Sequence, residues 1–329
     1  MQTMLTAFIT MVMMLLYALP GFLFIKTGMM KEASITPLSK LLMYVCQPML
    51  IVYTMTQVEF SPALIGDMGI ILALMLVLQF GMIGLFAFLL RRRMGDARYR
   101  IYTVATCLGN YAFMGIPILQ NILPDFPDAL ACSAMCSLSI NIVAWTAGCA
   151  VISQDRRYIS LKKVLLNPAT IGLAVALPFF FTNTTPAELI ATVLGKLPER
   201  TVEMSARTIE DMIMLLARMS TPLCMIIMGM RLALMPWGKV FGRPALYAVI
   251  VVKQLLLPLL TFLILLVLPI RNDLAQALLI MVACPVAAIV QNFAELLGEG
   301  QETGAGIVLL GTTLSALTIP LIVLFLPLL

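Results

Sequence analysis

A chain of 329 residues that is 61% hydrophobic and only 11% charged, with a mean hydropathy of +1.03, has too few polar side chains to cover a water-soluble fold of its size. Its formal charge of +5 does not point to nucleic acid, because the cations sit in short clusters between long apolar runs, where cytoplasmic loops of membrane proteins collect them. The chain has no histidine, which excludes Ser–His and Cys–His catalysis and mixed Cys/His metal sites.

Runs able to cross a hydrocarbon layer of about 30 Å, each about twenty residues as a helix, fall roughly at 4–25, 41–58, 66–90, 101–124, 129–153, 164–182, 211–231, 244–269, 274–297 and 303–328. They predict an all-α polytopic membrane protein of ten transmembrane helices. Only Met1, Gln2 and Thr3 precede the first run, without the basic start and cleavage site of a secretory signal, so it is expected to be retained. Fifteen of the 21 Lys and Arg residues fall in odd-numbered connections. These are Lys26, Lys31 and Lys40; Arg91, Arg92, Arg93, Arg98 and Arg100; Arg156, Arg157, Lys162 and Lys163; and Arg231, Lys239 and Arg243. Lys196, Arg200, Arg207 and Arg271 lie on the other side, and Arg218 and Lys253 within spans. Cation-rich short loops stay in the cytoplasm, so both termini are expected outside, in a cell inner (plasma) membrane. The ninth connection, with Glu295, Glu299 and Glu302 and no cation, disobeys. The seven cysteines lie in apolar runs and read as small core residues; no metal site and no cofactor are expected.

The two halves repeat. Leu41 and Leu42 lead to Pro48 as Leu215 and Leu216 lead to Pro222; the stretch Ala73–Phe80 matches Ala248–Leu255, setting Gln79 on Gln254; Ala105–Cys107 matches Val282–Cys284. Five spans per copy is odd, so the second copy enters the membrane upside down: residues 1–160 form one five-helix repeat and 161–329 its inverted partner. Inverted repeats set the fourth span of each half against its counterpart near the bilayer midplane, where transported substrates bind. Residues 109–117 read GNYAFMGIP, glycines and a proline that break a helix. Pro285 and the small residues Ala283–Ala288, followed by Gln291 and Asn292, do the same in span nine. Broken helices four and nine, crossing, aim two positive half-helix N-termini into one space that suits a carboxylate. The bland alternative is a proline kink with glycines for close packing.

GNYAFMGIP, the NPATIGLAVALP of 167–178 and the PLCMIIMGMRL of 222–232 resemble the auxin efflux carrier family, which includes plant PIN proteins and bacterial malonate or malate carriers. The resemblance covers nearly the whole chain. It implies ten helices in inverted repeats, crossed helices four and nine, a scaffold part and a moving transport part, and carriage of organic anions. By matched motif, Gly109, Asn110 and Pro117 take the crossover positions of span four and Pro285 that of span nine, while Ser137, Ser139 and Asn141 stand for the family's polar fifth helix. The long cytoplasmic loop of the plant members is missing here, and the 182–211 stretch is longer, with a surface helix expected over 186–196. The bile-acid sodium symporters, which share the crossed architecture, are the runner-up family.

Among the remaining polar residues, Lys253 sits mid-span, where an uncompensated charge costs at least about 3 kcal/mol. Its partner is either the substrate or, the favoured role, carbonyl ends of the broken helices. Arg218 snorkels. Gln79, Gln254 and Gln47 read as interhelical hydrogen-bonding residues, Gln47 with cavity lining as an alternative, and Asn141 as the better ligand contact. No carboxylate falls inside a span, so coupling through H+ or Na+ is left open, beside a membrane potential that favours anion exit by about 2.3 kcal/mol per charge per 100 mV. The expected partners are a small organic anion and the bilayer, with a homodimer admitted. An enzyme is disfavoured: the glycine-rich 298–306 stretch carries Glu299 and Glu302 and repels phosphate. A ligand sensor that does not transport is the remaining rival class.

Overall fold

A computed structural model describes residues 2–155, 157, 159–195, 198–235, 238 and 242–329. Arg156, Lys196 and Lys239 of the charge count lie outside the described residues. Chain order runs α1 (Gln2–Lys26), α2 (Glu32–Thr56), α3 (Pro62–Leu89), α4 (Ala97–Ala105), α5 (Ile116–Ile122), α6 (Ala129–Ser153), α7 (Pro168–Thr182) and α8 (Pro186–Val193). It continues with α9 (Glu199–Leu234), α10 (Pro244–Leu265), α11 (Asn272–Ala283), α12 (Ala288–Leu297) and α13 (Gln301–Val323). Among the described residues there is no strand. Seven helices, α1, α2, α3, α6, α9, α10 and α13, are long and apolar enough to cross a membrane, and α7 with α8, bent by 72°, makes an eighth if counted as one span. The other four are the separate halves of predicted spans four and nine. The chain is thus an all-helical, multi-pass membrane protein.

Local chemistry explains where the helices start. Pro62, Pro168 and Pro186 sit in first turns, where a missing N–H costs nothing. Ser61, Asn167 and Thr185 cap those turns with side-chain oxygens, and Glu188 closes a capping box back onto Thr185. Three deeper prolines follow a widened turn, while Pro20, Pro178 and Pro320 lie inside unbroken α-helix. Five-residue π turns, Leu42–Cys46, Tyr111–Gly115 and Val252–Leu256, stand immediately ahead of Pro48, Pro117 and Pro258, because the proline ring collides with the carbonyl four residues back. The helix expected over 186–196 is present as α8. Predicted span seven starts earlier than residue 211, at Glu199; its first turns are too polar for an apolar run to reveal.

Each outer helix buries one stripe. In α1 the buried residues Ala7, Met11, Met14, Ala18 and Gly21 recur every three or four positions, while Leu5, Leu16 and Leu23 remain exposed for lipid. By contrast α11 is buried almost throughout, from Leu274 to Ala283, and forms the centre of the fold.

Ion pairs gather the connections into two groups. Glu299 pairs with Arg100, Glu295 with Arg231 at 3.7 Å, and Glu302 with Arg243 at 3.1 Å. The disobedient acidic ninth connection therefore lies against arginines flanking the third and seventh. Arg271 meanwhile meets Asp128 at 2.6 Å, Asp273 at 2.8 Å and Asp67 at 3.8 Å, joining the second, fourth and eighth. The expectation that no carboxylate falls inside a span needs correction at the helix ends: Asp67 belongs to α3 and Glu295 to α12.

The crossing of α1 and α9 has no room for side chains at two positions. A Cβ on Gly229 would stand 1.8 Å from the Ala18 carbonyl oxygen, and one on Gly21 1.9 Å from that of Ile226. Gly229→Val must separate the helices, at a cost of about 1–3 kcal/mol or more. The detergent-purified variant should lose thermal midpoint relative to wild type; an unchanged midpoint contradicts this packing.

Candidate functional site

Helix α4 stops at Ala105 and helical geometry resumes only at Tyr111; α11 stops at Ala283 and α12 begins at Ala288. The two gaps meet. The Asn110 N–H donates to the Pro285 carbonyl at 2.8 Å, the Ala287 N–H donates to the Leu108 carbonyl at 3.0 Å, and Gly109 and Val286 form an isolated antiparallel bridge. Buried far from water, backbone groups released by a break must find protein partners, and here each gap supplies the other's. Pro285 has no N–H to satisfy, and Gly109 leaves room for the Tyr111 ring, which a Cβ there would meet at 2.4 Å.

The carbonyl ends exposed ahead of each break are answered by side chains. The fully buried Lys253 (0% exposed) donates from Nζ to the Val282 carbonyl at 2.7 Å and the Cys284 carbonyl at 2.9 Å, placing its charge on the negative end of α11. It also lies 5.9 Å from the Tyr111 ring centroid. In the other half a neutral group does this work. Tyr111 Oη donates to the Cys107 carbonyl at 3.2 Å and accepts from Gln79 Nε2 at 3.4 Å, and Gln79 also donates to Ser139 Oγ at 3.1 Å.

Beside this junction lie two cavities. The larger, about 810 Å³, runs between α1, α2, α5 and α9 and is lined by Tyr53, Gln57, Pro117, Gln120, Arg218 and Thr221 among others. It reaches Phe126, Pro127 and Ala129, on either side of the Asp128 that pairs with Arg271. The smaller, about 50 Å³, is lined by Phe113, Cys224, Arg231, Ala288, Gln291 and Asn292 among others, near the cluster of glutamates. Between them Thr221 Oγ1 donates to the Phe113 carbonyl at 3.1 Å.

The residues expected at the site are dispersed over several surroundings. Gly109, Asn110, Pro285 and Lys253 form the junction itself. Asn110 is 4% exposed, and its side-chain Nδ2 makes no full hydrogen bond among the described residues, its polar neighbour being the Cys224 thiol. Pro117 sits past the break, in the first turn of α5, lining the larger cavity. Gln291 and Asn292 line the smaller one. Ser137 and Asn141 line a separate crevice with Ile51 and Thr170, Asn141 Nδ2 donating to the Ser137 carbonyl at 2.9 Å. Gln47 is half-buried at the end of the α2 π turn. Two participants went unnoticed in the sequence. Tyr111 reads as part of an apolar run, and Arg231 reads as a loop cation although it stands on one helical face with Cys224 and Met228, a spacing that places it against the site.

Interrupted helices joined through their backbones stand inside a bundle of helices long enough to span lipid, which makes the chain a multi-pass membrane protein. The family described as membrane transport protein, the auxin efflux carrier family, matches residues 6–323 of the chain, and the chain belongs to it. No curated protein matches it significantly.

Removing the Lys253 ammonium orphans two buried carbonyls, each costing about 1–3 kcal/mol. Lys253→Met should therefore lower the thermal midpoint clearly even without substrate; retention of full stability contradicts the carbonyl-neutralising role.

Proposed function

We propose that the protein carries small organic anions, carboxylates or dicarboxylates, by alternating access around a site where helices four and nine cross. It has ten spans, with residues 1–160 and 161–329 as inverted five-helix repeats and both termini outside an inner membrane. The carrying observation is the pair of hydrogen bonds at the junction. The register that sets Ala105–Cys107 on Val282–Cys284 is an offset of 177 residues, and it sets Gly109 on Val286, the two residues of the bridge. Under that offset the Asn110–Pro285 bond becomes the Ala287–Leu108 bond. Any antiparallel bridge exchanges its two bonds in this way; what supports the repeat is that the bridged residues are themselves equivalent under the offset, as a local twofold axis requires.

Further support comes from the ion pairs, which collect odd connections on one face and even ones on the other, as ten spans require. Arginine-rich odd connections mark that face as cytoplasmic. The larger cavity then opens outward, and the Thr221–Phe113 contact closes it from the smaller one. Family membership supports carriage rather than catalysis.

Asn110 holds the junction with its backbone and leaves its Nδ2 for a guest. Asn110→Ala in proteoliposomes should keep the fold but lose labelled succinate counterflow by more than about tenfold, the worth of a hydrogen bond to a charged group. Undiminished flux in the variant contradicts this site; succinate binding by wild type with no flux at all identifies a sensor instead.

A further inference from the structure

Arg231 has more donors than partners. Its side chain is only 11% exposed, one terminal nitrogen donates to Asn292 Oδ1 at 3.2 Å, and its Nε is buried with no acceptor. The nearest carboxylate, Glu295, stands off at 3.7 Å and is itself 47% exposed, a loose ion pair beyond hydrogen-bond reach. Glu295 takes its direct hydrogen bond from Gln291 Nε2, at 2.8 Å.

The guanidinium lines the smaller cavity together with Ala288, in the first turn of α12. That turn is uncapped: Ala287 has no capping side chain, and the Ala288 and Ile289 amides have no acceptor among the described residues. Gln291, 5% exposed, lines the same cavity with an unpartnered side-chain oxygen. A largely buried cation with a vacant donor and the unsatisfied Ala288 amide thus converge on one void, whose Gln291 oxygen is an acceptor that a carboxylate cannot satisfy and a water can. Such groups each cost free energy unless something fills it. Its volume of about 50 Å³ is several times the roughly 10–15 Å³ that one water needs by the same measure, room for a small polar head group. The remaining wall is apolar at Leu42, Ile227, Val308 and Leu309 and adds Ser39, whose buried Oγ has no partner among the described residues.

We propose that Arg231 and the first turn of α12 form the subsite for one carboxylate head group of the cargo, which displaces Glu295 as the partner of the guanidinium. This rests on the organic-anion reading above and adds its specificity-determining residue. The subsite lies between α9 and the α12 half of the broken ninth span, so the exchange of partners ties head-group binding to release of a contact between them. A guanidinium presents paired donors to a carboxylate, which Glu295 at its present distance does not use.

Titration calorimetry of acetate, succinate and benzoate into the full-length protein in nanodiscs tests this. Arg231→Gln should weaken binding of every wild-type ligand by about thirty-fold or more, as for a buried, hydrogen-bonded charge that loses its partner. Glu295→Gln, which leaves the cation in place and removes its internal competitor, should tighten binding by several-fold. These opposite signs are the test, and the second variant serves even if the first fails to fold. Equal weakening in both variants, or unchanged affinity in Glu295→Gln, makes Arg231 a structural latch and overturns the subsite. Wild-type binding that survives Arg231→Gln overturns the subsite alone. Wild type that binds none of the three anions overturns the organic-anion reading along with it.

Discussion

Lipid offers no hydrogen bonds, and that constraint orders the whole centre of this protein. A helix broken at membrane depth exposes amides and carbonyls that cost several kcal/mol each if left alone. Two breaks brought together solve part of the problem by exchanging Asn110–Pro285 and Leu108–Ala287 bonds. The rest is solved by Lys253 on one side and Tyr111 on the other. What stays unsatisfied is the Asn110 side chain, the first turn of α12 and part of Arg231, and of these Ala288 and Arg231 line the smaller cavity.

The two halves answer the same demand with different chemistry. Gln79 and Gln254 match in the proposed repeat, yet Gln79 supports Tyr111 and Ser139, whereas Gln254 spans to the Gly311 carbonyl at 2.7 Å and accepts from Thr318 at 2.7 Å. A cation serves the second break and a phenol the first, so the field across the junction is not symmetric. An anion near the junction meets positive charge chiefly from the second half, through Lys253 and Arg231.

Much of the fold was legible in the sequence because lipid reduces the problem to length and hydropathy. Seven long helices and the bent α7–α8 pair fall on eight of the predicted apolar runs. The breaks were legible too, since glycine and proline act locally, although Pro117 proved to shape a π turn after the gap. Side-chain partnership was not legible. Whether Lys253 meets carbonyls or cargo depends on which helix faces it, and nothing in 244–269 states that. Arg231 was hidden by the habit of reading cations at span ends as loop residues, and the acidic ninth connection looked anomalous because its arginines come from 199 residues earlier, as with Arg100 and Glu299, or from the flanks of the seventh connection. Asn141 and Ser137 matched a family motif but face a crevice of their own.

Hydrogen exchange at single amides tests the junction most directly. In the full-length protein in nanodiscs, the Asn110 and Ala287 amides should exchange as slowly as those within α11, while Ala288 and Ile289, with no acceptor, exchange faster until a carboxylate is added. Rapid exchange at both Asn110 and Ala287 would mean that the two breaks do not hold each other, and the proposed crossed carrier site would lose its foundation.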